Sequence, residues 1–323
     1  MKIALVYTLE EKRQHRPENL HGVAQLQGTN HNICQALRGK GYEVATLPAD
    51  YSMMQKLKQI KPDCIFNNCT GIHDKSSQPQ IAGMLELLNI PFTGSCQLVH
   101  NLALYKPLAK LIFQAQGLPT PKFQVIKHLG EELNKDLQYP LIVKPEHEGS
   151  SIGISNDSIV YNESDCITKA NYIINNYQQP ALVEEFVIGR EFTVGVLGNE
   201  NPQVLPFVEI AFKSKGGFYS HNVKSLDGVE TICPTNVGES LKKNIASVVL
   251  NAYKTLGCCD YARIDIRLTK NEQPKIIEVN TLPGLQKGYS DFPKAAKEAG
   301  ICYEDMIERI IESCLRRFKK RRN

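Results

Sequence analysis

The stretch IIEVNTLPG, residues 276–284, decides the fold. Two isoleucines run into a Glu, an Asn follows two residues later, and the chain then breaks at Pro283-Gly284. In a strand the side chains at i and i+2 share a face, so Glu278 and Asn280 present their oxygens side by side at the strand's end. Such a pair is half of a hard-cation site. The other half stands in ARIDIRL (262–268), where Arg263 and Asp265 are again two apart. If the two strands pair, three oxygen-bearing side chains and a guanidinium converge. Two acids and an amide suit Mg²⁺, which completes its shell with water and phosphate oxygens, better than a Ca²⁺ cage. Solvent-facing alternation on an edge strand is the competing reading of either strand alone.

Two further stretches carry polar chemistry. In IVKPEHEGSSIGIS (142–155) a lysine ends an apolar strand and a Gly-Ser-Ser turn follows, offering a point charge and a row of backbone N–H groups to phosphate oxygens. Gly149 and Gly153 let that backbone approach closely. The order of residues excludes a Walker A loop, because the lysine precedes the glycines. A plain hairpin turn is the alternative. In ALVEEFVIGREFTVGVLG (181–198) the acids Glu184, Glu185 and Glu191 alternate with apolar residues as a hairpin would, and can offer carboxylates to an adenine and a ribose.

Outward from these motifs, KIALVY (2–7) is a strand, followed by a polar stretch to about Gly28; residues 29–47 read as a helix, a Gly stop and a second strand. DCIFNNCTG (63–71) is a third strand, QIAGMLELLNI (80–90) a helix and PFTGS (91–95) a fourth short strand. This alternation predicts a parallel sheet flanked by helices, with a cleft at the strands' carboxyl ends. From Ser95 the pattern turns mixed and antiparallel: a helix in 104–123 stopped by Gly117, then in 139–155 a strand, a Gly/Ser loop and a returning strand. The last third holds a polar loop (213–228), a helix at 241–256, the strand pair quoted above and a terminal helix near 303–318. The expected division is 1–95, an N-terminal α/β domain; 96–184, a central lobe; and 185–323, a C-terminal lobe.

A chain of 323 residues is too long for one small core, which agrees with two or three domains. The net charge of +4 is too small to argue for nucleic acid, and much of it lies in Arg316, Arg317, Lys319, Lys320, Arg321 and Arg322, read as a solvated helix end. No stretch reaches the roughly 18–20 apolar residues of a membrane helix, and MKIALVYT runs into charge without a signal-peptide plan. The expectation is a cytoplasmic protein with no membrane partner. The ten cysteines are scattered and the adjacent pair Cys258-Cys259 lacks C-x-x-C spacing, so they read as reduced thiols.

The order of these elements, a lysine with a Gly/Ser loop, then E-E-F-x-x-G-x-E, then R-x-D and E-x-N-x-x-P-G, resembles the ATP-grasp carboxylate-amine ligases, and within them the D-alanine–D-alanine ligase family. The likeness covers roughly residues 60–312 and is tightest in MLELLNIPFTGS, IVKPEHEGSSIGIS, VEEFVIGREFTVGVLG, LGCCDYARIDIRL and EVNTLPG. It implies an α/β ATP-grasp fold and an enzyme that uses ATP and Mg²⁺, or Mn²⁺, to join two amino acids through an acyl phosphate, as in peptidoglycan precursor synthesis. It also implies a homodimer. Lys106 and Lys144 resemble the lysines that hold ATP phosphates. Glu184, Glu185, Val187 and Glu191 resemble the adenine and ribose stretch, and Ser150 and Ser151 the loop closing over nucleotide and first substrate. Lys224 sits where a mobile loop supplies a lysine to the transferred phosphate. Asp265, Glu278 and Asn280 match the metal ligands; Arg263 and the backbone of Gly284 match the oxyanion-stabilising pair.

The departures fall on the amino-acid pocket. The family's Gly-Gly-x-Ser turn and ammonium-binding Glu are replaced by VYTLEEKRQHRPENLHG (6–22), where Glu10, Glu11 and Glu18 are the candidates. CTGIHDKSSQPQ (69–80) replaces a His-Gly followed by Gly-Glu-Asp-Gly, Ser225 stands where a Tyr is usual, and the segment bearing Ser290 is one residue longer. These differences leave room for a dipeptide or natural-product ligase with other substrates. A non-catalytic ATP-binding protein is the reading from another class.

Overall fold

The computed structural model describes residues 1–9, 20–72, 77–149, 152–212 and 229–322. The first apolar run forms β1 (Lys2–Tyr7), which lies between β2 (Glu43–Pro48) and β3 (Cys64–Asn68) and parallel to both. Parallel neighbours need crossovers, supplied by α1 (Leu20–Gly39) and α2 (Met53–Ile60). Ile3, Leu5 and Phe66 face one core while Ala4, Val6 and Ile65 face another. Burial on both faces explains why β1 reads as a continuous apolar run. Helix α1 starts at Leu20, inside the stretch read as polar up to about Gly28 and ahead of the helix expected from residue 29.

The fourth strand expected over 91–95 is a single parallel bridge between Phe92 and Ile65. Beyond it the chain's hydrogen bonding is diverted: Gly94 N–H donates to the Asp260 carboxylate at 2.9 Å, and the Phe92 and Gly94 carbonyls accept from Arg317. Helices α3 (Gln78–Leu87), α4 (Gln97–Leu104) and α5 (Lys106–Ala115) follow.

The central sheet runs β4-β7-β5-β6, all antiparallel, from β4 (Phe123–Ile126), β5 (Leu141–Pro145), β6 (Ile159–Val160) and β7 (Ala181–Glu185). Helix α6 (Glu163–Tyr177), capped by Asn162 accepting from Asp165 N–H, packs Cys166, Ala170 and Ile173 against Leu141, Val143 and Val183. The returning strand expected near Ile152–Ser155 is absent; β5 pairs instead with Ile159 and Val160.

The third sheet has the order β11-β10-β8-β12-β13, with β9 on β8. Its strands are β8 (Glu191–Leu197), β9 (Gln203–Val204), β10 (Val208–Phe212), β11 (Val229–Ile232), β12 (Tyr261–Leu268) and β13 (Pro274–Asn280). Residues 181–198 are therefore not a hairpin. β7 and β8 belong to different sheets, and residues 186–190 cross between them. Alternating polarity marks a strand with one buried face, and it cannot tell which sheet buries that face. Helix α7 (Glu239–Leu256) covers the third sheet, and α8 (Asp291–Glu298) and α9 (Tyr303–Arg322) complete the chain.

Helix α9 is not simply a solvated basic end. Its Ile307, Ile310, Ile311 and Cys314 pack with Ile3, Leu5, Phe66 and Tyr261 in one core. The Arg317 side chain is only 9% exposed: one Nη nitrogen donates to Asp260 (2.8 Å), Phe92 O (2.9 Å) and Gly94 O (3.0 Å), and the guanidinium lies over the Phe318 and Phe92 rings. Asp260 is fully buried and also accepts from Asn199. This pair clasps α9, residues 92–94 and the start of β12. Removing one partner of a buried pair costs about 3–5 kcal/mol, whereas an exposed i,i+4 pair is worth about 0.3–0.5 kcal/mol. Arg317→Met is therefore expected to lower the urea-unfolding free energy by several kcal/mol, and Arg316→Met, which loses only the exposed pair to Glu312, by a few tenths. Equal effects of the two substitutions would refute the clasp.

Candidate active site

Strands β12 and β13 pair antiparallel with Arg263 opposite Asn280 and Asp265 opposite Glu278, so the predicted constellation assembles. Arg263 donates to both Asp265 oxygens at 2.9 and 2.8 Å, Thr193 from β8 donates to Asp265 Oδ1 at 2.5 Å, and Asn280 Nδ2 lies 3.0 Å from Asp265 and 3.3 Å from Glu278. A register shift between Asp265 and Ile266 bulges β13. Ile276 and Val279 point into the core while Ile277, Glu278 and Asn280 line the cavity. Strict alternation would send Ile277 to the face opposite Glu278; the bulge puts both on the cavity.

Opposed carboxylates repel, and the cations around them settle the charge. Burial alone would raise the Glu278 pKa, but Lys106, Lys144 and Arg263 overcome it and hold the carboxyl down to about 2. Asp265 is pushed up by burial, with Arg263 opposing and Glu278 reinforcing. Lys106 arrives from the first turn of α5, and its Nζ donates to the Glu148 carbonyl at the edge of the Gly/Ser loop. Lys144 ends β5 and meets Glu184 at 2.6 Å.

Glu184 is held from two sides, because Lys110 lies 2.9 Å from its second oxygen. Lys110 is four residues after Lys106 on the same helix face, a spacing that could have revealed it. It also donates to Thr120, which in turn donates to the Ile276 carbonyl of β13. Both carboxylate oxygens of Glu184 are thus taken up by lysines. Burial pulls the pKa of Lys106 and of Lys110 down against their acidic neighbours.

Lys106, Lys144, Glu184, Arg263, Asp265, Glu278 and Asn280 line one cavity of about 530 Å³ between the central and third sheets. Glu185, Val187 and Glu191 stand along it with Ile142 and Ile154, while Gly284 and Ser290 form another wall. Gly149 is on its rim, and Gly153 (φ +76°) folds the loop back so closely that a side-chain carbon there would lie 2.5 Å from Pro145. Glu11, Ser150, Ser151, Lys224 and Ser225, with Glu10 and Glu18, lie outside the described residues.

Sequence reasoning missed Thr193, Lys110, Arg267 and the cluster Gln78, His100 and Thr281. Gln78 Nε2 and Thr281 Oγ1 each lie 2.7 Å from His100 Nδ1, and burial pushes the imidazole down to about 3, so it is neutral. Together with Thr70 they make the cavity end nearest the parallel sheet uncharged among the described residues. A lone histidine in the apolar run of α4 gave no signal. Arg267 did: it continues the alternation of Arg263 and Asp265.

The sequence pattern described as "D-ala D-ala ligase C-terminus" matches residues 112–312. A D-alanine–D-alanine ligase of Carboxydothermus hydrogenoformans is 36% identical over 295 residues, 88% of this chain and 91% of that protein. The crystal structure of a Bacillus anthracis D-alanine–D-alanine ligase complexed with ATP superposes with a TM-score of 0.79 at 26% identity over 99% of each chain. The D-Ala:D-Ser ligase VanG of Enterococcus faecalis shares the fold, with a TM-score of 0.79 at 20% identity over 97% of this chain and 99% of its own.

Burial, against the opposing charge of Arg267, pushes the Glu191 carboxyl from 4.5 up to about 7. The folded chain therefore binds this proton more tightly than the unfolded one. The resulting stabilisation is full below about pH 4.5 and is lost as pH rises through about 7. In nucleotide-free protein, Glu191→Gln is expected to raise Tm relative to the parent more at about pH 8 than at about pH 5. A constant Tm difference across that range would show that Glu191 titrates normally.

Proposed function

The chain belongs to the D-alanine–D-alanine ligase family, and we propose that it joins two amino acids, D-alanine first among them, with conversion of ATP to ADP and phosphate. The observation that carries this reading is the single cavity in which Asp265, Glu278 and Asn280 face Lys106, Lys144 and Arg263. Lys106 and Lys144 bind the ATP phosphates and neutralise charge as the first amino acid's carboxylate oxygen attacks the γ-phosphorus. The P–O bond to ADP breaks and an acyl phosphate forms, a step that needs mainly positioning and charge compensation. The amine of the second amino acid then attacks the acyl carbon. Arg263 and the Gly284 backbone donate to the developing oxyanion, and phosphate leaves with the C–O bond pair.

Two carboxylates and a carboxamide are hard oxygen donors and fit Mg²⁺, with Mn²⁺ accepting the same set. Asp265, Glu278 and Asn280 would hold it. Asn280 would turn its amide oxygen inward, which its hydrogen bonds permit because the two carboxylates it now contacts would be drawn to the cation instead. When bound, the ion supplies charge neutralisation to the phosphates. Ser150, Ser151 and Lys224 complete the phosphate contacts, and one of Glu10, Glu11 and Glu18 receives the first substrate's ammonium, with Ser225 and Ser290 toward the second substrate. The dipeptide so formed serves peptidoglycan synthesis.

A second reading, a ligase of the same chemistry with other amino acids, is favoured by the uncharged Gln78–His100–Thr281 cluster at the substrate end. Phosphate release with Mg-ATP across D- and L-amino acids, singly and in pairs, separates the two. D-Ala alone is expected to give the fastest release, and Asp265→Ala to lower it about 10²-fold or more. Faster release with a different pair would establish the second reading. Nucleotide binding without release across the panel would refute ligase activity.

A further inference from the structure

Arg267 is the third member of the row Arg263, Asp265, Arg267 on β12, and it lines the cavity at the end where residues 186–190 cross between the central and third sheets. It is 7% exposed. Its Nη1 lies 3.0 Å from Glu191 Oε2, its Nη2 donates to the Gly189 carbonyl at 3.2 Å, and its guanidinium sits 4.5 Å from the Phe186 ring centroid. Its Nε is buried without a partner. A planar fork can meet a carboxylate, a carbonyl and a ring face together, which a lysine's point charge does not reproduce.

Gly189 shows how tightly the crossing is pressed onto β12: a side-chain carbon there would lie 2.0 Å from the Leu268 carbonyl, and Leu268 N–H donates to Arg190 O at 2.9 Å. The guanidinium is therefore fixed from three directions.

The fold does not need this ion pair. β8 and β12 already pair through seven residues, from Tyr261 with Leu197 to Arg267 with Glu191, and burying an arginine with an unmet N–H is unfavourable. Glu191 does need it. Arg267 Nη1 meets its Oε2 at 3.0 Å, the contact that fixes the carboxylate's orientation on the cavity wall. Glu184, the remaining acid near Arg267, is occupied by its two lysines. A vicinal diol donates to both oxygens of a carboxylate well only when that carboxylate is held in one orientation.

Resting on the ligase reading above, we propose that Arg267 is a positioning residue for the nucleotide, holding Glu191 in one orientation as the acceptor for the two ribose hydroxyls. The test titrates the full chain calorimetrically, without amino acids, with Mg-ATP and with Mg-2′,3′-dideoxy-ATP. Arg267→Met is expected to weaken Mg-ATP about tenfold or more and dideoxy-ATP less than about twofold, because the lost hydrogen bonds to the oriented acceptor are those the analogue never makes. Glu191→Gln is expected to give the same pattern, and Arg267→Met adds nothing to it in the double variant. In turnover, the ATP KM rises while kcat and the amino-acid KM stay within about twofold. Equal penalties on both nucleotides, an additive double variant, or no penalty would overturn the proposal, and Glu191→Gln keeps the test open if Arg267→Met does not fold. A parent protein that binds neither nucleotide would overturn the ligase reading, and this inference with it.

Discussion

Everything at the site depends on one strand pairing that is unfavourable by itself. Asp265 stands opposite Glu278 across β12 and β13, and like charges placed opposite each other in an antiparallel pair repel. The arrangement persists because cations from three separate elements surround it: Arg263 on β12, Lys144 at the end of β5 and Lys106 at the start of α5. Each cation costs desolvation on burial, so acids and bases are held by mutual need rather than by surplus attraction. The buried Lys110–Glu184–Lys144 row extends that balance into the central lobe. Because its members come from α5, β7 and β5, the same electrostatics that brings cations to the cavity also ties the central sheet to the helix before it.

Two irregularities shape the cavity that regular pairing would have left flat. The bulge in β13 turns Ile277 and Glu278 to the same side, giving an apolar contact and a carboxylate next to one another. The crossing at 186–190 carries the chain from one sheet to the next and passes directly over β12 at Leu268. An apolar wall from Ile142 and Ile154, a crossing backbone and a charged floor meet there, a sequence of surfaces suited to a ligand apolar at one end and polyanionic at the other.

The legible part of the fold was local. The i,i+2 spacings in 262–268 and 276–284 placed the acids, the amide and the guanidinium because period two follows from strand geometry alone. The parallel opening sheet was legible for the same reason, since strands buried on both faces read as unbroken apolar runs. What was not legible depended on partners far along the chain. Residues 91–95 look like a strand, yet Asp260 and Arg317 take the hydrogen bonds a strand would use. Residues 181–198 look like a hairpin, yet β8 pairs with β10 and β12. Arg317 looks like one more solvated charge in a basic run, and only a buried aspartate 57 residues earlier makes it otherwise. His100 shows the limit most clearly: nothing adjacent to it in sequence indicates that Gln78 and Thr281 will converge on its ring.

The packing of α9 also fixes an order in time. Ile3, Leu5 and Phe66 share one core with Ile33 and Leu37 of α1 and with Ile307, Ile310, Ile311 and Cys314 of α9, so the cover that α1 begins on that face of the first sheet is completed only when α9 has been synthesised. At about 5–20 residues per second, translation leaves that apolar face waiting for tens of seconds. The opening βαβ unit is thus complete in hydrogen bonding long before it is complete in burial. A nascent chain extended past Phe66 but short of α9 carries an apolar surface that is still only partly covered.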